Sequence, residues 1–166
     1  MICRFVFYKK RFSVLLLTMM HLYFAYGSNL DQGQMRDRCP DSELVDHSAY
    51  LDGYRLGFTW YSRVWSCGVA DVVLADACKV WGFVYRLSDE DLEQLDYYEN
   101  YPNSYTRFRV CVNSETGTYP DAWVYEVVNK SEFVPPSKLY ISIIRSAAER
   151  YFPSDYLEAV DQINLA

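Results

Sequence analysis

Histidine is nearly absent from this chain: His21 and His47 are the only two among 166 residues. The cysteines form no C-x-x-C pair. A closed zinc site needs four Cys or His ligands at short spacings, so one is disfavoured here. The five cysteines (Cys3, Cys39, Cys67, Cys78 and Cys111) are odd in number and widely spread, which fits reduced thiols in a cytoplasmic protein better than a disulfide framework. Neither a G-x-G-x-x-G nor a P-loop run occurs. No G-x-S-x-G elbow accompanies a histidine, and His47 sits in VDHSAY among acidic and small residues, which reads as structural. No sequence feature marks a base beside any cysteine, so none stands out as a nucleophile. What remains is carboxylate chemistry and backbone donors.

Basic charge is scarce beyond the start of the chain. Arg4, Lys9, Lys10 and Arg11 fall in the first 20 residues, which hold no acid, while residues 21–166 carry 12 basic and 22 acidic groups. A body of net charge -10 repels phosphate backbones, so general nucleic-acid binding is not expected. An anionic ligand must be held by local donors that oppose this field. The opening MICRFVFYKKRFSVLLLTMM has basic residues ahead of an apolar run, Phe12–Met20, but no small-x-small cleavage site follows. That run is shorter than the ~20 residues a membrane-spanning helix needs, so no membrane partner is expected. An appended tail or an upstream start is preferred to a targeting signal. Residues 1–20 are accordingly set apart from a domain over 21–166.

With 51% hydrophobic and 23% charged residues, that domain can bury a working core. Strand-like runs cover Leu22–Tyr26, Glu43–Leu51, Tyr54–Tyr61, Gly68–Ala75, Val80–Leu87, Tyr105–Asn113 and Ala122–Val128. Asp52-Gly53 is a hairpin signal between the second and third of these. Helices are expected through Met35 and Arg38, from a Ser88/Asp91 capping box to about Tyr98, over Lys138–Phe152, and over Ser154–Ile163. On the third of these, Leu139, Ile143, Ala147 and Arg150 fall near one face, with Ile144 and Tyr151 nearby. Strands with few, unevenly placed helices predict an α+β domain with a curled mixed sheet rather than a doubly wound one. The 16 tyrosines suit half-buried strands.

Two features bear on chemistry. On a helix starting near Asp89, Leu92 and Leu95 face inward, and Glu99, four residues further on, extends their stripe, whereas Glu90 and Glu93 face outward. An inward carboxylate must be paired or carry a raised pKa. From periodicity alone the heavier reading is a helix that frays after Tyr98 and leaves Glu99 wet. The second feature is YFAYGSNL, Tyr23 to Leu30, in which a buried strand runs through Gly-Ser-Asn into a helix. Successive N–H groups there can nest an anion, and Gly27 allows a left-handed backbone or a close ligand approach. On these residues alone an ordinary turn, with Ser28 or Asn29 capping the helix, weighs more.

Taken together, Tyr23-Phe24-Ala25-Tyr26-Gly27-Ser28-Asn29-Leu30, then Gly68-Val69-Ala70-Asp71, Val80-Trp81-Gly82-Phe83-Val84-Tyr85, Leu95-Asp96-Tyr97-Tyr98-Glu99, Tyr105 and Pro135-Pro136-Ser137-x-x-Tyr140 resemble the γ-glutamylcyclotransferase-like superfamily, including the AIG2-like proteins. The resemblance spans about Leu22 to Arg150. It implies a mixed β-barrel with surrounding helices and one cavity, and cyclisation of a γ-glutamyl group to 5-oxoproline with release of the attached amine or amino acid. Carried over by position, Glu99 matches the acid/base, the Tyr23–Leu30 loop the substrate cradle and Tyr140 a substrate-binding tyrosine. Tyr97-Tyr98 departs from the more polar residues that can precede the glutamate, which leaves the leaving group open. The implied partner is a small γ-glutamyl molecule. The reaction is redox-neutral and acid/base driven, so no metal or organic cofactor is expected. The competing reading is a catalytically inactive small-molecule-binding protein of the same fold, against which the presence of Glu99 counts.

Overall fold

The computed structural model describes residues 20–166, so the extension expected over 1–20 lies outside the described residues except for Met20. Five strands form one sheet: β1 (His21–Ala25), β2 (Glu43–Ser62), β3 (Cys67–Leu87), β4 (Tyr105–Ser114) and β5 (Thr118–Val127). They close into a barrel in the order β1-β3-β2-β4-β5. β1 runs antiparallel to β3 and parallel to β5, the parallel pairing meeting at Tyr23 and Trp123. Because the sheet closes on itself, the short strand β1 is paired on both sides and presents no open edge. It carries the Tyr23–Tyr26 residues into the barrel wall, where each is 5% exposed or less.

Four helices complete the domain: α1 (Gln32–Arg38), α2 (Asp89–Tyr98), α3 (Lys138–Tyr151) and α4 (Ser154–Asp161). Ser88 and Asp91 form the reciprocal cap expected of α2. Ser137 caps α3 through the Tyr140 N–H. The helix α1 is capped by Asp31, whose carboxylate accepts from the N–H groups of Gly33 (2.7 Å) and Gln34 (3.1 Å). Neither Ser28 nor Asn29 caps it, because Ser28–Leu30 forms a separate 3₁₀ turn ahead of it.

Two expectations are corrected. Asp52-Gly53 is not a hairpin. β2 runs straight through it, and Gly53, at φ +78°, absorbs a register shift: Asp52 faces Lys79 but Tyr54 faces Leu74. Residues 75–78 thus bulge from β3 opposite Gly53, with Ala77 in the left-handed region, and the expected strand pairs on each side merge into one long strand apiece. The chain reverses at 63–66 instead. The buried face of α3 is also rotated from the one expected. Ile144 and Ala147 are buried as expected, but Tyr140, Ile141 and Ala148 complete the face, while Arg150 is exposed and Leu139 is 70% exposed. Tyr140 decides this, since its hydroxyl reaches the barrel and accepts from the Ala70 N–H at 3.0 Å.

A buried carboxylate ties the barrel together next to that contact. Asp71, fully buried on β3, accepts from the Thr59 hydroxyl (2.6 Å), the Val127 N–H (2.9 Å) and the Lys130 ammonium (2.7 Å). Three segments therefore converge on one charge, and the ammonium is what balances it. Lys130→Met should leave that charge uncompensated and lower unfolding free energy by about 2–4 kcal/mol; a third of the Lys130 side chain is exposed, so water softens the loss relative to a fully buried pair. The check is the urea midpoint at constant m-value; an unchanged midpoint would show that the clamp carries no stability.

Candidate active site

The inward carboxylate is built by the way α2 ends. Asn100 adopts φ +50°, its N–H donates to the Tyr97 carbonyl (3.1 Å), and the Tyr101 N–H donates to the Asp96 carbonyl (2.8 Å). This is a Schellman ending, which Asn tolerates better than most residues. It makes Glu99 the last residue held by the helix, its N–H donating to Leu95 at 2.9 Å. The helix end is in turn pinned to the barrel by Asp96, which pairs with Arg107 at 2.9 Å and accepts from the Tyr125 hydroxyl at 2.7 Å. Spacing in Leu95-Asp96-Tyr97-Tyr98-Glu99 now has a mechanical meaning. Leu95 fills the core, Asp96 anchors the helix to β4 and β5, and one turn after Leu95 the chain presents Glu99 to the cavity.

Glu99 is 17% exposed at the side chain and does not sit alone. The Asn29 amide nitrogen donates to its carboxylate (3.2 Å) and to the Tyr23 hydroxyl (2.9 Å). The Asn29 amide oxygen accepts from Gln34 (3.1 Å) and Arg38 (2.8 Å), which fixes which end of the amide faces Glu99. The Arg38 guanidinium also lies 3.8 Å from the Glu99 carboxylate and stacks over the Tyr98 ring. Burial raises the Glu99 pKa above the ordinary carboxylate value, opposed in part by the Arg38 charge and the Asn29 hydrogen bond. The result is a carboxylate whose proton is held more tightly than in water, as a group that both takes and gives one requires.

Two connected spaces meet at Glu99. The inner recess, about 30 Å³, is walled by Tyr23, Tyr26, Gly27, Ser28 and Asn29 with Tyr105, Tyr125 and Tyr140. The outer cleft, about 630 Å³, shares Ser28, Glu99, Tyr105 and Tyr140 with it and opens between the 60–65 segment and the end of α2. The recess as it stands takes only a small polar head, with the rest of a ligand in the cleft. Tyr140 and Tyr105 are held by the two ends of the Ala70 residue, the first accepting from its N–H and the second donating to its C=O at 2.8 Å. Burial holds the phenols of Tyr23, Tyr26, Tyr105 and Tyr140 well above their ordinary pKa, so they are neutral hydrogen-bonding groups. Gly27 has φ -115°, so the left-handed alternative does not apply. It serves close approach: a Cβ there would lie 3.0 Å from the Ala70 Cβ and 3.2 Å from the Tyr140 hydroxyl.

The octapeptide is therefore divided. Tyr23, Tyr26, Gly27, Ser28 and Asn29 reach the recess, as do Glu99 and Tyr140, whereas Phe24, Ala25 and Leu30 are core residues that line neither space. Sequence reasoning missed Arg38 as a partner of this site; no local pattern ties it to Asn29 or Glu99, which lie 9 and 61 positions away in the chain. His47 stacks on Tyr151, and burial pushes the Cys39 thiol up to about 12, leaving it protonated at neutral pH. Among the described residues, no three His, Cys, Asp or Glu side chains are grouped to hold a metal ion, and no helix is long and apolar enough to cross a membrane. A larger open groove, about 1100 Å³, runs between Leu30–Gly33 and α3, but it shares no residue with the recess.

Comparison with known proteins places the domain among relatives of one family. Residues 23–142 match the family model described as gamma-glutamyl cyclotransferase, AIG2-like. The gamma-glutamylcyclotransferases of Bos taurus and Homo sapiens are each 31% identical over 148 residues, covering 86% of this chain and 78% of theirs. A solved gamma-glutamyl cyclotransferase structure superposes with a TM-score of 0.81 at 28% identity, over 89% of this chain and 90% of that one.

Proposed function

This chain belongs to the γ-glutamyl cyclotransferase, AIG2-like family, and we propose that it cyclises a γ-glutamyl group to 5-oxoproline, releasing the attached amine or amino acid, with Glu99 as the general acid/base. The observation that carries this reading is the Glu99 carboxylate, oriented by Asn29 and Arg38 at the junction of recess and cleft. Glu99 takes a proton from the substrate α-ammonium. The freed amine forms a C–N bond to the γ-carbonyl carbon of the same molecule, closing a five-membered ring. As the tetrahedral centre collapses, the bond to the leaving nitrogen breaks, Glu99 returns its proton to that nitrogen, and the ring nitrogen gives up its second proton, which the released amine takes up, leaving the neutral lactam. The nucleophile is the substrate's own amine, so the protein's task is to hold amine and carbonyl together; well-oriented intramolecular reactions reach effective molarities of ~10⁵–10⁸ M.

In this reading the Gly27–Asn29 backbone and the Tyr140 hydroxyl, which line the recess, hold the polar end of the glutamyl group or the developing oxyanion, where donors fixed in advance are most effective. The domain assigned to 21–166 contains all of these groups. Its described cysteines are free, which fits a cytoplasmic setting. Incubating the purified full chain with γ-glutamyl dipeptides should yield 5-oxoproline and free amino acid in equal amounts. Binding without product would favour the inactive binding protein instead.

The raised Glu99 pKa sets a pH dependence. Activity needs the carboxylate form, so kcat/KM should fall as pH drops through a pKa above the ordinary 4.5. Arg38→Met removes the cation that favours the carboxylate, so the acid limb should move to still higher pH. A limb unchanged in the variant would remove Arg38 from the positioning of Glu99.

A further inference from the structure

The outer cleft has a chemical character of its own. Its outer walls are aromatic: Trp60, Tyr61 and Trp65 on one side and Tyr98 on the other. Trp60 and Trp65 are braced edge-on against Tyr105 and Tyr140, at 6.1 and 5.0 Å between ring centroids, so their positions are tied to the recess. Tyr61 and Tyr98 keep 52% and 49% of their surface exposed, an unusual amount of uncovered ring at the mouth of a cavity. Charge is equally biased. In a domain of net charge -10, the cleft is lined by Arg38 and Arg63 against Glu99 as its one acid. Arg38 is committed to Asn29 and Glu99, whereas Arg63 enters no ion pair among the described residues.

Building on the cyclotransferase reading, we infer that the preferred leaving group is an α-amino acid with an aromatic side chain, its ring received by Tyr61 and Trp60 and its carboxylate by Arg63. The recess takes only the polar end of the glutamyl group, so its γ-carbonyl and whatever is attached to it lie in the cleft beside Glu99. Aromatic faces there reward a ring by burial and by offset or edge-on packing. A free guanidinium selects a carboxylate and disfavours an amine-bearing leaving group such as a polyamine. Tyr61 and Arg63 lie near the β2–β3 turn, outside the residues that handle the proton, so they determine specificity without entering the chemistry.

The test compares kcat/KM of the full chain on γ-glutamyl-phenylalanine, γ-glutamyl-alanine and γ-glutamyl-phenethylamine, the last lacking only the leaving-group carboxylate. The phenylalanine compound should exceed each of the others by roughly tenfold or more, the scale on which a pocket distinguishes side chains. Tyr61→Ala should shrink the phenylalanine-to-alanine ratio while γ-glutamyl-alanine stays within about threefold of wild type on the same scale. Arg63→Met should equalise the phenylalanine and phenethylamine compounds. Equal rates on all three substrates, or ratios unmoved by both variants, would overturn this inference and leave the cyclotransferase reading intact. Absence of turnover on every γ-glutamyl compound would overturn both.

Discussion

Glu99→Gln should fold, keep its cavity and lose turnover by ~10²–10⁴-fold, the usual contribution of a positioned acid/base. Gln keeps an oxygen that can accept from Asn29, so the shape of the site survives while its proton-transfer capacity does not. A stability readout separates this from general damage. Burial raises the Glu99 pKa in the folded state, so the wild-type carboxylate is disfavoured there and stability falls as pH rises from the ordinary 4.5 through the raised value. The Gln variant lacks that titration, and its stability relative to wild type should rise across the same window. Near-normal 5-oxoproline production by the folded variant would end the assignment of Glu99.

Gly27→Val should damage binding and turnover far more than folding. Even the first carbon of a side chain would crowd the Ala70 Cβ and the Tyr140 hydroxyl, and the two branches of Val reach further. Overpacking of this kind costs ~1–3 kcal/mol, which a domain of ordinary stability, about 5–15 kcal/mol, survives. Displacing the Tyr140 hydroxyl and the Ser28 backbone by even part of an ångström shifts the cradle, and a misplacement of about 1 Å can cost ~10²-fold in rate. Ser28→Ala retains the backbone N–H and should do much less. Unchanged affinity of a folded Gly27→Val protein for a non-reactive γ-glutamyl analogue, measured by calorimetry, would leave the turn a structural role only.

Local signals announced some of this design clearly. The Ser88/Asp91 cap and the Leu92, Leu95 stripe place α2, and four more residues bring the chain to Glu99. Periodicity alone favoured a frayed, wet end there; what turns Glu99 inward is the left-handed Asn100 and the Asp96–Arg107 anchor, and the second of these joins residues 11 apart across two elements. Asp52-Gly53 misled because the same positive-φ glycine serves a tight turn or a bulge, and only the pairing of β2 with β3 chooses between them. Arg38 was not legible as part of the site, and Asp71 stood out only as the end of the Gly68–Asp71 block with no role attached, since their partners come from distant segments brought together by barrel closure. The face of α3 was displaced because Leu139 is as apolar as its neighbours, while the polar tip of Tyr140 sets the rotation.

The central claim is that the protein joins the substrate's own amine to its γ-carbonyl and does not use water. The most direct measurement is turnover of a γ-glutamyl dipeptide carrying ¹⁵N in its α-amine, in H₂¹⁸O, with products analysed by mass spectrometry. The account expects 5-oxoproline that retains the ¹⁵N and carries no ¹⁸O, in equal amount to the released amino acid. Free glutamate bearing ¹⁸O in its γ-carboxylate would show hydrolysis and contradict it.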